Sequence, residues 1–431
     1  MSELGPSPLA AGEDNLSVAS ARAAIASRLQ PITDAETVPL AQALGRVLAS
    51  DVIATIDVPA HDNSAMDGYA FAGSALRADA ALELRSIATV MAGAPHAGVV
   101  GAGHCVRIMT GAVMPAGADT VVPLELCQVD AHSGGAAVRI APGVIKSGEN
   151  RRKQGEDLTR GKPVLHAGRV LKPVDLGLIA SLGIASVPAV RRLRVALFST
   201  GDEIKSLGEP LAPGCVYDSN RFSLMGALQR LGLEVVDLGL VRDNPQALRD
   251  AVQRAIEQAD VLLTSGGVSA GDADYTRSVL GEVGEVDFWK VAMRPGRPFA
   301  FGPLFAGDPQ RPSKTAWLFA LPGNPVAALV TFYVFARDAL LTLAGATAEP
   351  LPVLQARCTA AIRKRPGRTE FQRAIVSRGN DGHWQVRVAG SQGAGILRSM
   401  SEANALLVLG HDQGSVAAGD PVDVWLFDGL V

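Results

Sequence analysis

The chain has 431 residues, 48% of them hydrophobic and 19% charged, with a formal net charge of −3 and a mean hydropathy of +0.20. That length allows about three domains with full cores, and the composition excludes extensive disorder. The charge balance gives no reason to expect nucleic acid or an anionic membrane surface as partner.

Residues 1–16 contain no basic segment followed by an apolar one, so they read as a flexible tail and not as a signal peptide. Residues 17–50 show helical spacing twice: at Ala21, Ile25, Arg28 and Leu29, and after Pro39 at Leu40, Ala43, Leu44 and Val47. From 51 to about 161, short apolar runs broken by Gly, Pro and Asp predict a β-rich module, with strands at 87–91, 106–109, 120–123 and 137–140. Helical spacing returns over 168–189 through Val174, Leu178, Ile179 and Leu182, and stops at Gly183.

Residues 190–345 alternate. Strands are predicted at 193–198, 235–240, 261–264, 286–291 and 317–321, with helices at 221–231, 245–258, about 275–280, and from Pro325 onward. Over 245–258, Leu248, Ala251, Val252, Ala255 and Ile256 share one face, opposite Arg249, Asp250, Arg254 and Glu257. Such alternation predicts a mostly parallel sheet covered on both faces, with ligands bound outside the carboxyl ends of its strands. Residues 315–336 are uncharged for long enough to raise the question of a membrane span, but Pro322-Gly-Asn-Pro325 interrupts them. A strand, a turn and a helix in a soluble chain are the expectation. In 350–431, Trp384, Val386 and Val388 alternate with Gln385 and Arg387, and Val422, Val424 and Leu426 repeat the pattern, as in a small β-barrel or sandwich. Cys105, Cys127, Cys215 and Cys358 form no C-x-x-C pair and have no histidine at ligand spacing. This excludes a recognisable zinc site and fits free thiols in a reducing cytoplasm.

Four loops fall at predicted carboxyl ends. Ser199-Thr-Gly-Asp-Glu203 holds two hydroxyls, Gly201 and two acids. In Ser265-Gly-Gly-Val-Ser269, Gly266 and Gly267 carry no Cβ, so backbone N–H groups can approach phosphate oxygens closely; Asp272 and Asp274, just beyond, suit Mg²⁺. Arg294-Pro-Gly-Arg-Pro298 presents two guanidiniums, and Pro322-Gly-Asn-Pro325 opens a helix whose first N–H groups form an anion site. Each alone is also readable as a plain turn, a solvated basic face or a helix start. Gathered on one sheet edge they make a site for a phosphorylated or otherwise anionic ligand with a metal. Neither G-x-x-x-x-G-K-[ST] nor a G-x-G-x-x-G after a strand occurs, which argues against P-loop and dinucleotide chemistry. Outside the sheet, Asp62-Asn-Ser-Ala-Met-Asp-Gly-Tyr69, Arg107-Ile-Met-Thr-Gly111 and Arg152-Lys-Gln-Gly-Glu-Asp157 read locally as turns and surface features.

Taken in order with these loops, and with Tyr217-Asp-Ser-Asn220, Asp274-Tyr275 and Pro366-Gly-Arg368, the chain resembles the molybdopterin molybdenumtransferase (MoeA) family, related to the gephyrin E domain. The matching strings cover nearly the whole chain from about residue 17. The resemblance implies a multidomain α/β protein: a tail (1–16), a split N-terminal domain (17–50 and 155–189) carrying an inserted β-rich module (51–154), a central α/β/α domain (190–345) and a C-terminal β-barrel (350–431). It also implies a homodimer whose active site lies between the central domain of one subunit and the inserted module of the other. That would give Asp67 and Thr110 a role their local context does not.

The implied reaction takes adenylyl-molybdopterin and molybdate to molybdenum cofactor with Mg²⁺-dependent release of AMP. Gly201, Gly266, Gly267, Ser269, Pro322 and Pro325 would cradle the nucleotide side, Ser199, Thr200 and Asn220 would bond its phosphates, and Asp274 with Glu203 would hold Mg²⁺. Lys290, Arg294 and Arg368 would be cationic donors for molybdate and the terminal phosphate. Glu203, Asp67 and Asp157 are candidates to orient metal or water and move protons, with no single general base assigned. A separate adenylyltransferase would supply the substrate, since the chain has room for one such α/β domain. Two positions depart from the family: Gln392-Gly-Ala394 lacks the usual serine hydroxyl, and Arg294 and Arg297 stand where lysines are frequent. Two other functions compete: a non-catalytic scaffold, which would not need Glu203, Asp274, Lys290 and Arg368 together, and a nucleotide pyrophosphatase, which would not need the inserted module or the barrel.

Overall fold

A strand that is apolar along its whole length must be covered on both faces. Val261–Ser265 is buried at all five positions. The computed structural model describes residues 15–132, 135–268, 273–307, 312–347 and 349–427, and sets this strand inside a six-stranded sheet. The order across it is Glu234–Val241, Arg194–Thr200, Val261–Ser265, Lys314–Leu321, Pro298–Ala306 and Asp287–Lys290. The first four run parallel, and the last two are each antiparallel to their neighbour. Two reversals restore direction, so Asp287–Lys290 ends on the same edge as the parallel strands.

The sheet is therefore mixed at one side. Pro298–Ala306 lies outside the predicted elements because Pro298, Gly302 and Pro303 carry turn chemistry. Gly302 has a packing reason instead: a Cβ there would stand 2.1 Å from the Glu285 carbonyl oxygen.

Alternation along the strands loads both faces. Val195, Leu197, Val261, Leu263 and Phe319 pack with Leu224 and Leu228 of the helix Asn220–Arg230 and with Val326 and Leu329 of the helix beginning at Pro325. Ala196, Phe198, Leu262 and Leu318 pack on the other side, with Leu248, Val252 and Ile256 of the helix Pro245–Gln258 and with Val279 and Leu280 of the helix Ala273–Val283. The helix from Pro325 continues through a π-helical turn, Phe332–Ala336, to Leu343. Its 19 residues are apolar enough to cross a membrane, but 78% of the most apolar stretch is buried inside the protein, so core packing accounts for the uncharged run.

Val38, Leu48 and Val52 share a core with Leu165, Ile179, Leu182 and Val187, so the chain leaves this N-terminal unit and returns to it. Between lies a six-stranded module in which Gly68–Phe71 pairs with both His104–Ile108 and Thr120–Pro123. The helix Val18–Ala26, capped by Ser17, packs elsewhere: Ala21 and Ile25 join the central core. The second helix expected near 40–47 does not form. Ala35–Pro39 is a strand paired with Ser186–Val190, Leu40–Gln42 makes a single 3-10 turn, and Gly45 at φ +71° redirects the chain.

Near the C-terminus, Thr369–Arg378 pairs with both Trp384–Val388 and Ala405–Leu409. With Leu354–Cys358 and Pro421–Leu426 this closes a five-stranded barrel. The short strand Met293–Arg294 adds in parallel to Thr369 and Glu370, which stitches the loop after Asp287–Lys290 to that barrel.

Asp260 joins the N-terminal unit to the central sheet. Arg191 donates Nη1 and Nη2 to its two oxygens, both at 2.8 Å, and Nε to Asp34 at 2.9 Å; the Arg194 N–H adds a bond of 2.9 Å. Burial alone would raise the Asp260 carboxyl, but the Arg191 fork and the Arg194 N–H outweigh it and hold the group below its ordinary value. A depressed pKa adds stability that is present above the unfolded value and lost as pH falls through the folded one. Asp260→Asn should lower the urea midpoint at neutral pH, and the gap to the parent should close below about pH 4. A gap that stays constant down to acid pH would show that the carboxylate charge contributes nothing.

Candidate functional site

The carboxyl edge of the central sheet opens into a cavity of about 660 Å³. Thr200, Gly201 and Glu203 enter it after the first parallel strand, Gly266 and Gly267 after Val261–Ser265, and Pro322 and Pro325 after Lys314–Leu321. Asn220 enters at the start of its helix, and Gly395 and Leu397 reach over from beside the barrel.

The glycines are required by backbone approach. Gly266 has φ +98°, and a Cβ on it would lie 2.4 Å from the Thr200 carbonyl oxygen. Its N–H donates to Leu321 O at 3.0 Å, and its Cα lies 3.8 Å from where a Cβ of Gly323 would stand. Three strand ends thus meet with no side chain between them, leaving backbone as the cavity floor. Asn220 pins this arrangement: its buried Nδ2 donates to Ser265 Oγ and to Gly323 O, each at 2.7 Å. Its Oδ1 is buried without a partner among the described residues. Two helices start at the cavity, at Asn220 and at Pro325, and the field at a helix N-terminus favours an anion.

Carboxylates also line the wall. The Glu203 oxygens lie 2.8 and 2.9 Å from where a Cβ of Gly201 would stand, so that glycine makes room for the acid. Asp243 accepts a short hydrogen bond from Thr200 Oγ1. It was not among the residues singled out by motif, although it follows the strand Glu234–Val241 at the same edge. Asp218 likewise has a role that its local sequence does not signal. It is buried, accepts from Ser199 Oγ at 2.9 Å and from Arg221 Nε at 2.8 Å, and so holds the start of the Asn220 helix. Ser199 is accordingly turned to Asp218 and does not line the cavity.

Ser269 and Asp272 lie outside the described residues, and Asp274 enters only through its place in the backbone of the helix Ala273–Val283. Among the described residues no three His, Cys, Asp or Glu side chains converge as metal ligands. Glu203 and Asp243 are two hard oxygen donors on one wall, the donor type that Mg²⁺ takes.

The predicted cations gather beyond the cavity lining, against the barrel. Arg294 stands opposite Glu370 in the strand register, and Arg368 Nε donates to Glu370 Oε1 at 2.8 Å. Lys364 is buried, with Nζ donating to Gln413 O at 2.7 Å. Arg373 is buried with neutral partners: Ser399 Oγ, Ser391 O and Gly393 O, each at 3.1 Å. Burial, with the nearby charge of Arg294, pushes its guanidinium down to about 10. Such crowded cations favour an oxyanion neighbour. The loop that departs from the family motif keeps a backbone role here: Gln392 Oε1 accepts from Arg373 N, and Ala394 O accepts from Val326 N in the first turn of the Pro325 helix. Lys290 lies at the end of its strand on the same side and also stays outside the cavity lining.

Asp67 and Thr110 lie together on the inserted module. Asp67 Oδ1 accepts from Thr110 Oγ1 at 2.6 Å and from Thr110 N at 2.7 Å, which holds the carboxyl below its ordinary value. Neither lines the cavity of its own chain, nor does the exposed Asp157.

Three family descriptions match in order: MoeA N-terminal region (domain I and II) over residues 16–183, probable molybdopterin binding domain over 196–342, and MoeA C-terminal region (domain IV) over 355–427. A molybdopterin molybdenumtransferase of Haemophilus influenzae is 40% identical over 417 residues, spanning 96% of this chain and 100% of that protein. Molybdopterin molybdenumtransferase 2 of Mycobacterium tuberculosis is 37% identical over 400 residues, spanning 90% of this chain and 94% of that protein. Among solved structures, the molybdopterin biosynthesis MoeA protein of Pyrococcus horikoshii superposes with a TM-score of 0.80 at 27% identity, covering 96% of this chain and 100% of that one.

Asn220→Asp keeps the shape of the side chain but removes both donors and turns a carboxylate toward the Gly323 carbonyl. Loss of two buried bonds should cost about 2–3 kcal/mol in urea unfolding. A midpoint equal to the parent's would sink the assigned role.

Proposed function

This chain belongs to the molybdopterin molybdenumtransferase family, a transferase of molybdenum-cofactor biosynthesis, and we propose that it inserts molybdate into adenylyl-molybdopterin with release of AMP. The observation that carries this reading is the pairing of two unlike surfaces: a backbone-floored cavity with acids on its wall, and a crowd of cations beside it.

The glycine floor and the two helix starts bind the nucleotide phosphates through N–H groups. Pro322 and Pro325 fix the backbone there, and Asn220 keeps the three strand ends together. Glu203 and Asp243, with Asp274 from the neighbouring helix, would hold Mg²⁺ on the phosphoanhydride; when bound, the ion neutralises charge on the phosphate oxygens. Thr200 bonds Asp243 and so sets the angle of that carboxylate. Arg294, Arg368 and Lys290 receive molybdate and the terminal phosphate, the guanidiniums as planar forks and Lys290 as a point charge. Arg373 shapes the loop around them. With Ala394 in place of serine, one hydroxyl contact to the oxyanion is missing, so arginine contacts carry more of its binding.

Asp67 and Thr110 are exposed, mutually bonded and outside the lining of their own cavity, which supports a homodimer in which the inserted module of one subunit covers the cavity of the other. Asp157 serves on that same surface. A separate adenylyltransferase supplies the substrate. Four free cysteines support a cytoplasmic location. The acids and cations together favour an insertase over a scaffold.

Incubation with adenylyl-molybdopterin, Mg²⁺ and molybdate should yield AMP and cofactor only when both ions are present. AMP release indifferent to molybdate would instead identify a pyrophosphatase, and no turnover a scaffold. Asp274→Ala should lower Mg²⁺-dependent AMP release by about 10²-fold or more with an unchanged thermal midpoint. Parental turnover in that variant would remove Asp274 from the metal set.

A further inference from the structure

A second cavity, of about 720 Å³, opens at the opposite end of the same elements. The helix Asn220–Arg230 begins at the first cavity and ends at this one, where Arg230 and Gly232 form part of the wall; 11 residues span about 15 Å. Arg192 lines it just before the strand whose far end carries Thr200. The other wall comes from the N-terminal unit through Arg169 and Lys172, and Arg337 completes it from the helix after the π turn.

Five basic side chains thus face one carboxylate, Glu349, in a chain whose net charge is −3. Part of that charge is neutralised internally. Arg169 forms a fork on Asp175, at 3.0 and 2.9 Å, and Arg337 bonds Asp338 at 2.5 Å, while Arg192 donates to the neutral Gly232 carbonyl and keeps its charge. Lys172, whose charge also acts on Asp175, and Arg230 make no side-chain hydrogen bond among the described residues and come from two different units of the fold. Two buried polar atoms nearby also lack hydrogen-bond partners among the described residues: Arg337 Nε and, one helical turn earlier, Tyr333 Oη. The Tyr333 hydroxyl is pushed up to about 12 by burial, against the charges of Arg230 and Arg337. Leu44, Val170, Leu231 and Leu341 give the same cavity an apolar wall.

We propose that this cavity binds a phosphorylated small molecule with an apolar body, clamped between Lys172 of the N-terminal unit and Arg230 of the central domain. A phosphate takes charge-assisted bonds from both cations, while the body lies on the leucine and valine wall. Because the two cations come from different units, occupancy ties those units together at a distance from the catalytic edge. This reading uses none of the residues assigned to the transferase reaction.

The probe is phenyl phosphate, with inorganic phosphate as its apolar-free counterpart, followed by equilibrium dialysis at constant ionic strength with the full chain. Lys172→Gln/Arg230→Gln should bind one equivalent of phenyl phosphate fewer per chain than the parent, or bind it at least about tenfold more weakly, with any binding at the catalytic edge retained. Inorganic phosphate should bind this site more weakly than phenyl phosphate. Both substituted side chains are exposed, so the thermal midpoint without ligand should match the parent's, and single Lys172→Gln should show an intermediate loss. Equal stoichiometry and affinity in parent and double variant would overturn the proposal. So would a parent that binds no equivalent sensitive to these two positions.

Discussion

The convergence of three strand ends on bare backbone is the constraint from which the site follows. Gly266 lies so close to the Thr200 carbonyl that any Cβ would collide with it, and Gly323 comes within van der Waals contact of Gly266. Parallel strands in register bring their carboxyl ends to one level, and glycine lets those ends touch. Once they touch, the loops that leave them must diverge around a hollow. The acids, hydroxyls and helix starts then take their places on its rim. Asn220 bonds two of the three ends, through Ser265 and Gly323.

The barrel contributes by a different route. Its strand Thr369–Arg378 accepts two residues of the central domain, Met293 and Arg294, as an extra parallel neighbour. That pairing is a backbone ladder, so the distance between the glycine floor and the cation cluster is set by hydrogen bonds and not by flexible side chains. Arg373 is buried inside this arrangement with only neutral acceptors, and Ala394 passes the same rigidity to the Pro325 helix through Val326. Charge is thus concentrated where backbone hydrogen bonds, and not side-chain freedom, set the geometry.

Legibility in the sequence tracked the range of the interactions involved. The helix Pro245–Gln258 shows its period plainly, and all five predicted inward residues are buried. The loops at the carboxyl edge were readable because a local rule, glycine after an apolar strand, coincides with a topological one. Pro298–Ala306 was opaque: its prolines and Gly302 look like a turn, and only the neighbouring Glu285 backbone explains the glycine. The stretch from Leu40 to Val47 has helical spacing, yet Pro39, Gly45 and a partner strand some 150 residues away in sequence decided otherwise. Asp243 obeyed the edge rule but sits in no striking motif. Ser199 looked like a phosphate ligand until Asp218 was seen to hold its hydroxyl. The pairing of Asp67 with Thr110 is a contact across 43 residues, beyond any local pattern.

The helix Val18–Ala26 carries a consequence for how the molecule is made. Its Arg22 bonds Val334 and Asp338, partners 312 and 316 residues downstream, while Leu16 bridges Lys290 and Ala292. During synthesis this helix is made well before its partners, and its site does not exist until Val334 and Asp338 have followed. The central core therefore closes late, after the inserted module has had time to fold on its own strands. A free amphipathic segment must be kept from other surfaces throughout that interval, and loop-closure entropy falls due only at the last step. Growth is vectorial here, but completion is circular: a helix made before its site must return to the middle of the central core.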